Sequence, residues 1–212
     1  MFKNNKVFKI DKNGNKKRIL GIIPGFNIRF KGKNSSVILY EPVPKFSRCK
    51  IKMDDNSEVI IKSSHERIKK LNIQMDSNQK CEIGKEFFTF GCEIVFASEK
   101  NLSVKIGDNC LFARNILIRP SDGHSIYSID SGKALNFGKN IEIGNHVWVA
   151  GDVSILKGVY VHDNCVIGHG AIMTKSTTES YSIYAGNPAR LVKSHINWDY
   201  CAPDAFVKNN GL

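Results

Sequence analysis

The sequence predicts an all-β protein, a parallel β-helix whose short strands wind around a common core. An aliphatic residue recurs at every sixth position from Ile143 to Met173, and a column of small or β-branched residues runs beside it from Val147 to Ala171. The same spacing is found upstream at Ile106, Phe112 and Ile118. A period of six does not match the ~3.6 residues of an α-helical turn, and β-branched residues favour strands. One six-residue unit cannot bury its own interior, so stacked coils must form the core.

Residues 1–82 are expected to continue the same solenoid as degenerate coils. Apolar segments with the composition of short strands lie at 37–40, 50–53, 59–61 and 71–75. Clusters of Asn, Asp and Ser separate these segments at intervals of about ten residues, which is typical of turns between strands. The N-terminal part is therefore assigned to degenerate β-helix coils.

Residues 83–188 are predicted to form the regular β-helix, with one interruption. The sixfold register stops at Ile118 and resumes at Ile143, and the step between these two positions is not a multiple of six. A loop at residues 119–140 must therefore leave the tube, and loops that interrupt a rigid scaffold commonly carry functional residues. Beyond the last coil the pattern ends, so residues 189–212 are expected to be a short helix or an irregular tail.

The composition indicates a globular chain with a basic surface. Of 212 residues, 42% are hydrophobic and 24% are charged, and 31 Lys and Arg against 20 Asp and Glu give a formal net charge of +11. This length supports one domain, or two small ones, with a core that needs no disulfide or structural metal. Such a positive charge is compatible with an ordinary solvated surface. It is equally compatible with a surface that attracts an acidic polysaccharide or a phosphate-bearing cofactor. Aromatic residues do not alternate with basic ones, which disfavours nucleic acid as a partner.

Several classes of protein are excluded by what the sequence lacks. It contains no run of ~18 apolar residues, so no integral membrane segment is expected. The apolar stretch that follows Arg18 is interrupted by glycine and proline and has no small-residue cleavage site, which disfavours a secretory signal. The six cysteines are dispersed without a CxxC pair. Neither a zinc site nor a disulfide framework is therefore indicated, and reduced thiols in the cytoplasm are the simplest interpretation.

Four segments carry a family resemblance. Ile143–Val149, Thr174-Lys175 and Ala185–Arg190 resemble the hexapeptide-repeat acyltransferases, and the loop segment Ser121–Ser128 resembles bacterial sialic acid and capsule polysaccharide O-acetyltransferases. General connection rules favour right-handed crossovers, whereas the resemblance implies a left-handed β-helix. It also implies a bacterial homotrimer that binds acetyl-CoA in clefts between subunits and acetylates a sugar hydroxyl.

The residues offer one well-placed general base. No activated Ser or Cys nucleophile is recognisable, so direct attack by the acceptor hydroxyl is favoured, and a neutral imidazole is the best base at pH 7. By position His124 is either this base or an ordinary surface histidine, and the resemblance implies the catalytic role. Trp148 follows it at a separation that also resembles the family's, although an aromatic residue here could simply pack. The resemblance implies that Trp148 lines the acetyl group and the acceptor beside an oxyanion-binding N–H, although Ala150 stands where the family usually has glycine.

The resemblance also implies a groove for acetyl-CoA along the tube. Gly151 and His169 are separated by one full coil of three hexapeptides, so they should stack on one edge of adjacent coils, where the family contacts pantetheine. Thr174, Lys175 and Arg190 match the family's contacts to the adenine end and its phosphate, for which cations are suited. Charged residues at the end of a tube can also be merely solvated.

Three rival classes share parts of this pattern. Zinc-dependent carbonic anhydrases of the β-helix type resemble the segment around His169, but they need a second histidine at the position where Thr174 stands, so no metal is expected. A non-catalytic sugar-binding β-helix would not need both the loop histidine and the phosphate contacts. Acetyltransferases for amino sugars or serine share the tube. The sequence therefore favours an O-acetyltransferase for sialic acid or another surface polysaccharide.

Overall fold

The chain folds as a left-handed parallel β-helix, which confirms the predicted fold class. This computed structural model describes residues 4–211. The first three residues and Leu212 lie outside the described part, so the outer ends of the predicted segments 1–82 and 189–212 are not covered. Within residues 4–211 no helix is long and apolar enough to cross a bilayer.

Short strands make up almost all of the regular structure. The strands that precede the inserted loop are β1 Lys6–Ile10, β2 Lys16–Arg18, β3 Phe26–Phe30, β4 Ser36–Tyr40, β5 Lys45–Ser47, β6 Cys49–Met53, β7 Glu58–Ile61, β8 Arg67–Lys69, β9 Leu71–Gln74, β10 Lys80–Ile83, β11 Phe88–Thr89, β12 Cys92–Val95, β13 Ser103–Ile106, β14 Leu111–Phe112 and β15 Ile116–Arg119. Those that follow it are β16 Ile141–Ile143, β17 Trp148–Val149, β18 Ser154–Leu156, β19 Tyr160–Val161, β20 Val166–Ile167, β21 Ile172–Met173, β22 Ile183–Ala185 and β23 Arg190–Lys193. A helix, α1 Pro203–Asn210, comes near the end of the chain.

Three sheets form the walls of the described tube, and the chain visits them in rotation. Sheet 1 has the order β19-β16-β13-β10-β7-β4-β1-β2, sheet 2 the order β23-β22-β20-β17-β14-β11-β8-β5, and sheet 3 the order β21-β18-β15-β12-β9-β6-β3. Neighbouring coils pair in parallel, whereas the outermost pairs β1–β2 and β22–β23 are antiparallel. The chain therefore turns at three corners in every coil, which we call the 1–2, 2–3 and 3–1 corners after the sheets they join.

The core is the interior of the tube, and both sixfold columns of the sequence point into it. The aliphatic column is Ile143, Val149, Ile155, Val161, Ile167 and Met173, and no member is more than 1% exposed. The second column is equally buried and consists of Val147, Val153, Val159, Cys165 and Ala171. Residues between the inward positions alternate to solvent, as the pleat of a strand requires.

Coil length explains why the register is visible only in part of the sequence. After the loop, stacked partners such as Asn145 and Asp163 are 18 residues apart. Before it, the paired residues Ser36 and Glu58 are 22 residues apart. The strands of residues 26–74 have three to five residues, against two or three in β16 to β21, so they join the same three sheets without repeating every six positions.

The interruption lies between β15 and β16, at a 3–1 corner. Asn115 and Asp152 contact each other in adjacent coils although they are 37 residues apart, because residues 120–140 leave the tube without forming a strand. We call residues 120–140 the excursion loop. Its tip is closed by an isolated antiparallel bridge between Tyr127 and Ala134.

The C-terminal segment is more ordered than the sequence suggests. Strand β23 turns back against β22, and the following residues cross the 1–2 corners. There Nε1 of Trp198 donates to the carbonyl of His146 at 2.8 Å, and the hydroxyl of Tyr200 donates to the carbonyl of Asn109 at 3.2 Å. Helix α1 ends at Asn210 and is capped by Gly211, whose φ of 67° is left-handed. All four residues of β23 are exposed, so no hydrophobic pattern marks it.

The interior also holds most of the sulfur. Five of the six cysteines are buried and unpaired, namely Cys49, Cys81, Cys92, Cys110 and Cys165, whereas Cys201 is partly exposed. Burial raises the pKa of the thiols of Cys81 and Cys110 to about 12. These groups are therefore protonated and inert in the folded state at neutral pH.

Candidate active site

Glu99 holds the two ends of the excursion loop together. One oxygen of its carboxylate accepts a hydrogen bond from the hydroxyl of Ser121, and the other accepts the amide N–H of Gly138 at 2.6 Å. The hydroxyl of Ser121 in turn accepts the amide N–H of Gly123 at 3.1 Å. The loop therefore leaves and re-enters the tube through a narrow, hydrogen-bonded neck.

Above this neck, Lys157 and Asn136 fix the segment that carries His124. The ammonium of Lys157 pairs with the carboxylate of Asp122 and donates to the carbonyl of Asn136 at 2.9 Å. The side chain of Asn136 donates to Asp122 and to the backbone carbonyl of His124, each at 2.8 Å. The hydrogen bond from Lys157 lowers the pKa of the Asp122 carboxyl, so this anchor is charged at neutral pH.

His124 is exposed at the end of this anchored segment. Its backbone is fixed by Asn136, while its ring makes no hydrogen bond to any residue of the described part, 4–211. A neutral imidazole with a free nitrogen can accept a proton from a hydroxyl that approaches it. The structure therefore presents the predicted base on a hydrogen-bonded support and open to solvent.

Trp148 lies on the outer face of sheet 2, beside an aromatic group supplied by the C-terminal segment. The Trp198 ring stacks on His146 at a centroid distance of 4.3 Å and lies 6.0 Å from the Trp148 ring. Tyr200 continues the group at 4.9 Å from Trp198. Trp148 remains 38% exposed and forms one wall of a cleft of about 510 Å³, whose other walls are residues 197–207. Trp198 was not among the residues predicted from the sequence. The only feature that could have indicated it is the presence of a large aromatic residue in a polar C-terminal segment.

Gly151 offers a backbone donor three residues after Trp148. The N–H groups of Trp148 and Ala150 are both used, donating to the carbonyls of Cys165 and Ile167 in the next coil at 2.9 Å. Ala150 thus continues the backbone ladder in place of the family's glycine. The N–H of Gly151 has no hydrogen-bond partner within residues 4–211, so it is available to a developing negative charge.

Gly151 and His169 meet at the 2–3 corner, as their spacing predicts. A Cβ on Gly151 would lie 3.1 Å from Nδ1 of His169, tighter than ordinary contact, so the absence of a side chain is needed for this approach. Nε2 of His169 lies 3.5 Å from one carboxylate oxygen of Asp152, and the other oxygen accepts a hydrogen bond from Asn115 at 2.9 Å. The His169 side chain is 73% exposed, and the corner forms an open edge along the tube.

Thr174, Lys175 and Arg190 share the C-terminal end of the tube. The N–H of Ile172 donates to the carbonyl of Gly186 at 3.0 Å, and the N–H of Ala189 donates to the carbonyl of Ile172 at 2.9 Å. These bonds place the turn before Arg190 against β21, which Thr174 and Lys175 follow directly. All three side chains are exposed, so two cations and a hydroxyl line one rim.

The candidate residues of one subunit fall into two separate places. Trp148, Gly151 and His169 lie on sheet 2 and the 2–3 corner, and the cationic rim lies at the end of the same tube. His124 leaves from the 3–1 corner, a different edge. Within residues 4–211 no hydrogen bond, ion pair or ring contact joins His124 to any of these residues, so one subunit does not assemble all the candidate groups at one point.

The comparisons with known proteins agree with this architecture. The family model described as bacterial transferase hexapeptide (six repeats) matches residues 140–175. The polysialic acid O-acetyltransferase of Neisseria meningitidis is 32% identical over 173 residues, covering 81% of this chain and 68% of that protein. That of Escherichia coli O1:K1 / APEC is 38% identical over 110 residues, covering 52% of this chain and 35% of that protein. The chain thus matches about a third of the Escherichia coli relative's length.

The solved structures extend the likeness to the whole tube. The crystallographically analysed polysialic acid O-acetyltransferase OatWY superposes with a TM-score of 0.77 at 26% identity, covering 98% of this chain and 95% of that one. The alignment includes the degenerate coils and the C-terminal segment as well as the regular repeats. The chain therefore belongs to the hexapeptide-repeat acyltransferases, and within that family it is similar to the polysialic acid O-acetyltransferases.

Proposed function

We propose that the protein is an O-acetyltransferase that moves an acetyl group from acetyl-CoA to a hydroxyl of a sugar, in sialic acid or another capsular or surface polysaccharide. The observation that carries this proposal is the 32% identity to a polysialic acid O-acetyltransferase over 81% of the chain. The anchored His124 and the cationic rim at the end of the tube supply the chemistry that such a reaction needs.

In the proposed reaction, the acceptor hydroxyl attacks the thioester directly. The imidazole of His124 takes the hydroxyl proton while the sugar oxygen forms a bond to the thioester carbonyl carbon. The N–H of Gly151 stabilises the oxyanion of the tetrahedral intermediate, and Trp148 flanks the acetyl group. Collapse of the intermediate breaks the carbon–sulfur bond, and the imidazolium returns its proton to the leaving CoA thiolate.

The proposed position of acetyl-CoA is the 2–3 corner and the end of the tube. Gly151 and the exposed His169 side chain form an edge along which the pantetheine arm would lie. Lys175 and Arg190 place two cations on the rim, where phosphate groups form charge-assisted hydrogen bonds, and Thr174 adds a hydroxyl beside the adenine end.

A homotrimer would bring the separated groups together. His124 belongs to the 3–1 corner and the proposed CoA groove to the 2–3 corner, so a neighbouring subunit must supply one of them. The excursion loop has the apolar surface that such a contact needs: its exposed large apolar residues, 58–94% accessible, are Ile126, Tyr127, Ile129, Leu135 and Phe137. A concentration of exposed apolar side chains in one loop is typical of a protein interface.

We place the protein in the bacterial cytoplasm. Five cysteines are buried as free thiols in the interior of the tube, and such thiols persist where the surroundings are reducing. Localisation by fractionation of the native bacterium is the direct check.

A transfer assay tests the proposed function. The protein is incubated with acetyl-CoA and, in parallel, polysialic acid, free sialic acid, a neutral polysaccharide, an amino sugar and serine. Release of CoA thiol is followed with time, and the acetylated position is mapped by NMR. We expect O-acetyl esters on the sialylated acceptors. Acetylation of the amino sugar or of serine alone, or no transfer to any acceptor, would contradict the proposal.

A further inference from the structure

A column of basic residues runs along the 2–3 corner, upstream of the proposed groove. Arg48, Lys70 and Arg114 occupy this corner in nearby coils, and Gly91 lies between the last two. A Cβ on Gly91 would be 3.9 Å from Cβ of Lys70 and 3.8 Å from Cα of Arg114. We call Arg48, Lys70 and Arg114 the basic column. Within residues 4–211 none of the three forms an ion pair with a carboxylate, so their charges are available to a ligand.

The basic column borders a cleft with an aromatic floor. The cleft has a volume of about 660 Å³, and its lining residues are Ser47, Arg48, Lys69, Lys70, Phe90, Ala113 and Arg114. No carboxylate is among them. Phe90 is 48% exposed, and the ammonium of Lys69 lies 4.6 Å from the centre of its ring. The cleft thus combines four cations with one half-exposed aromatic ring, on one side of which the Lys69 ammonium lies.

This cleft is continuous with the proposed transfer site. The N–H of Lys70 donates to the carbonyl of Ser47, and that of Asp152 donates to the carbonyl of Arg114 at 3.0 Å. A Cβ on Gly151 would lie 3.7 Å from that same carbonyl of Arg114. Adjacent coils are ~4.8 Å apart, so four steps from Arg48 to Gly151 span about 19 Å. Such a length exceeds one sugar and suits several residues of an extended polymer.

We propose that the cleft is a distal subsite for an acidic polysaccharide, in which the basic column pairs with carboxylates of successive sugar residues while Phe90 packs against the apolar face of one ring. This inference rests on the proposed function, because it takes the polymer bound here to be the acetyl acceptor. The cleft offers a single exposed aromatic ring, whereas single-stranded nucleic acid is bound by series of stacked bases. A carboxylated sugar chain therefore fits the observations better.

The experiment compares two double variants with the same loss of charge. Arg48→Gln with Lys70→Gln removes two members of the column, and Lys17→Gln with Lys33→Gln removes two exposed cations elsewhere. Binding of a long sialic acid polymer is measured by calorimetry without acetyl-CoA, at two salt concentrations, so that the result does not depend on catalysis. Transfer to the long polymer and to free sialic acid is measured separately, and thermal melting checks that each variant is folded.

We expect the column variant to bind the polymer about tenfold more weakly, with a smaller salt dependence, since two charge contacts are lost. Its KM should rise for the polymer but not for free sialic acid or acetyl-CoA. Equal weakening in the control variant, or unchanged binding in the column variant, would overturn the inference. So would single-stranded DNA that binds the cleft as tightly as the polymer. Polymer binding without any acetyl transfer would refute the proposed function while leaving the subsite intact.

Discussion

His124 is the side chain on which the proposed chemistry depends most. Replacing it with alanine removes the base while leaving the buried columns of the tube untouched, so the melting temperature should change little. The turnover rate for acetyl transfer should fall roughly a hundred- to ten-thousand-fold, the usual contribution of a positioned general base. Steady-state kinetics with acetyl-CoA and a sialylated polymer measure this. His65→Ala, at another exposed histidine, is the control, and near wild-type turnover in His124→Ala would show that the mechanism is wrong.

Lys175 should act on the cofactor rather than on the chemistry. Lys175→Ala removes one of the two cations on the rim, so the KM for acetyl-CoA should rise while turnover changes much less. The comparison is with Lys33→Ala, which removes an exposed cation from a different part of the tube. A large loss of turnover with an unchanged KM would place Lys175 outside the CoA site.

Asp122 is expected to be a positioning residue. The hydrogen bond from Lys157 is the largest cause that lowers the pKa of the Asp122 carboxyl from its usual 3.8. The carboxylate is therefore charged at neutral pH, and its ion pair with Lys157 is lost only when the pH falls through that lowered pKa. Asp122→Ala should lower turnover about tenfold with the KM for acetyl-CoA unchanged, and should speed amide hydrogen exchange across the excursion loop. Glu142→Gln, which breaks the Lys105 ion pair outside the loop, should do neither. Wild-type exchange rates in Asp122→Ala would refute this role.

Sequence reasoning could locate some of these side chains and not others. His124 stood out because it falls in a break of a regular register, and Gly151 and His169 because their spacing equals one coil. Glu99 and Trp198 could not be found in this way. Glu99 contacts Ser121, 22 residues away, and Trp198 contacts His146, 52 residues away. Glu99 lies in a corner and Trp198 in the C-terminal segment, and neither segment has a periodic sequence pattern.

At the scale of the single coil, stability should come from the inward columns. Ile155 is fully buried in β18 between stacked partners, and its replacement by alanine leaves a cavity that costs about 2–5 kcal/mol. The free energy of unfolding in urea measures this, with Ile22→Ala as the control because Ile22 is 95% exposed. If both variants unfolded alike, the interior could not be closely packed.

The apolar segments predicted as strands at 37–40, 50–53, 59–61 and 71–75 do form strands β4, β6, β7 and β9, but a sixfold register is visible only where one coil takes 18 residues. In the coils after the excursion loop, three hexapeptides complete one turn of the tube, so the inward positions recur at multiples of six and the sequence shows them directly. In the earlier coils the strands are longer and one coil takes 22 or 23 residues, so the inward positions stay apolar but lose the sixfold period. Strand β23 had no inward position at all, since it extends the edge of sheet 2 with all its side chains exposed.

For the molecule as a whole, the expected state is a trimer. Sedimentation should give three chains per particle, and Ile129→Asp should dissociate it and abolish transfer, because a charge at this position opposes the burial of the loop. Ile129 is 94% exposed in the single chain, and Leu20 at 83% provides the matched control, Leu20→Asp. A wild-type monomer with full activity would overturn the shared site.

The buried cysteines can report the order in which the coils of the tube separate. Cys49, Cys81, Cys92, Cys110 and Cys165 lie in four different coils, and their raised pKa values keep them unreactive while those coils are closed. An alkylating reagent can reach each sulfur only when its own coil separates from the neighbours. In a solenoid, the coils near an end lose contacts before the central ones. The order in which the sulfurs become alkylated is therefore the order in which the coils come apart.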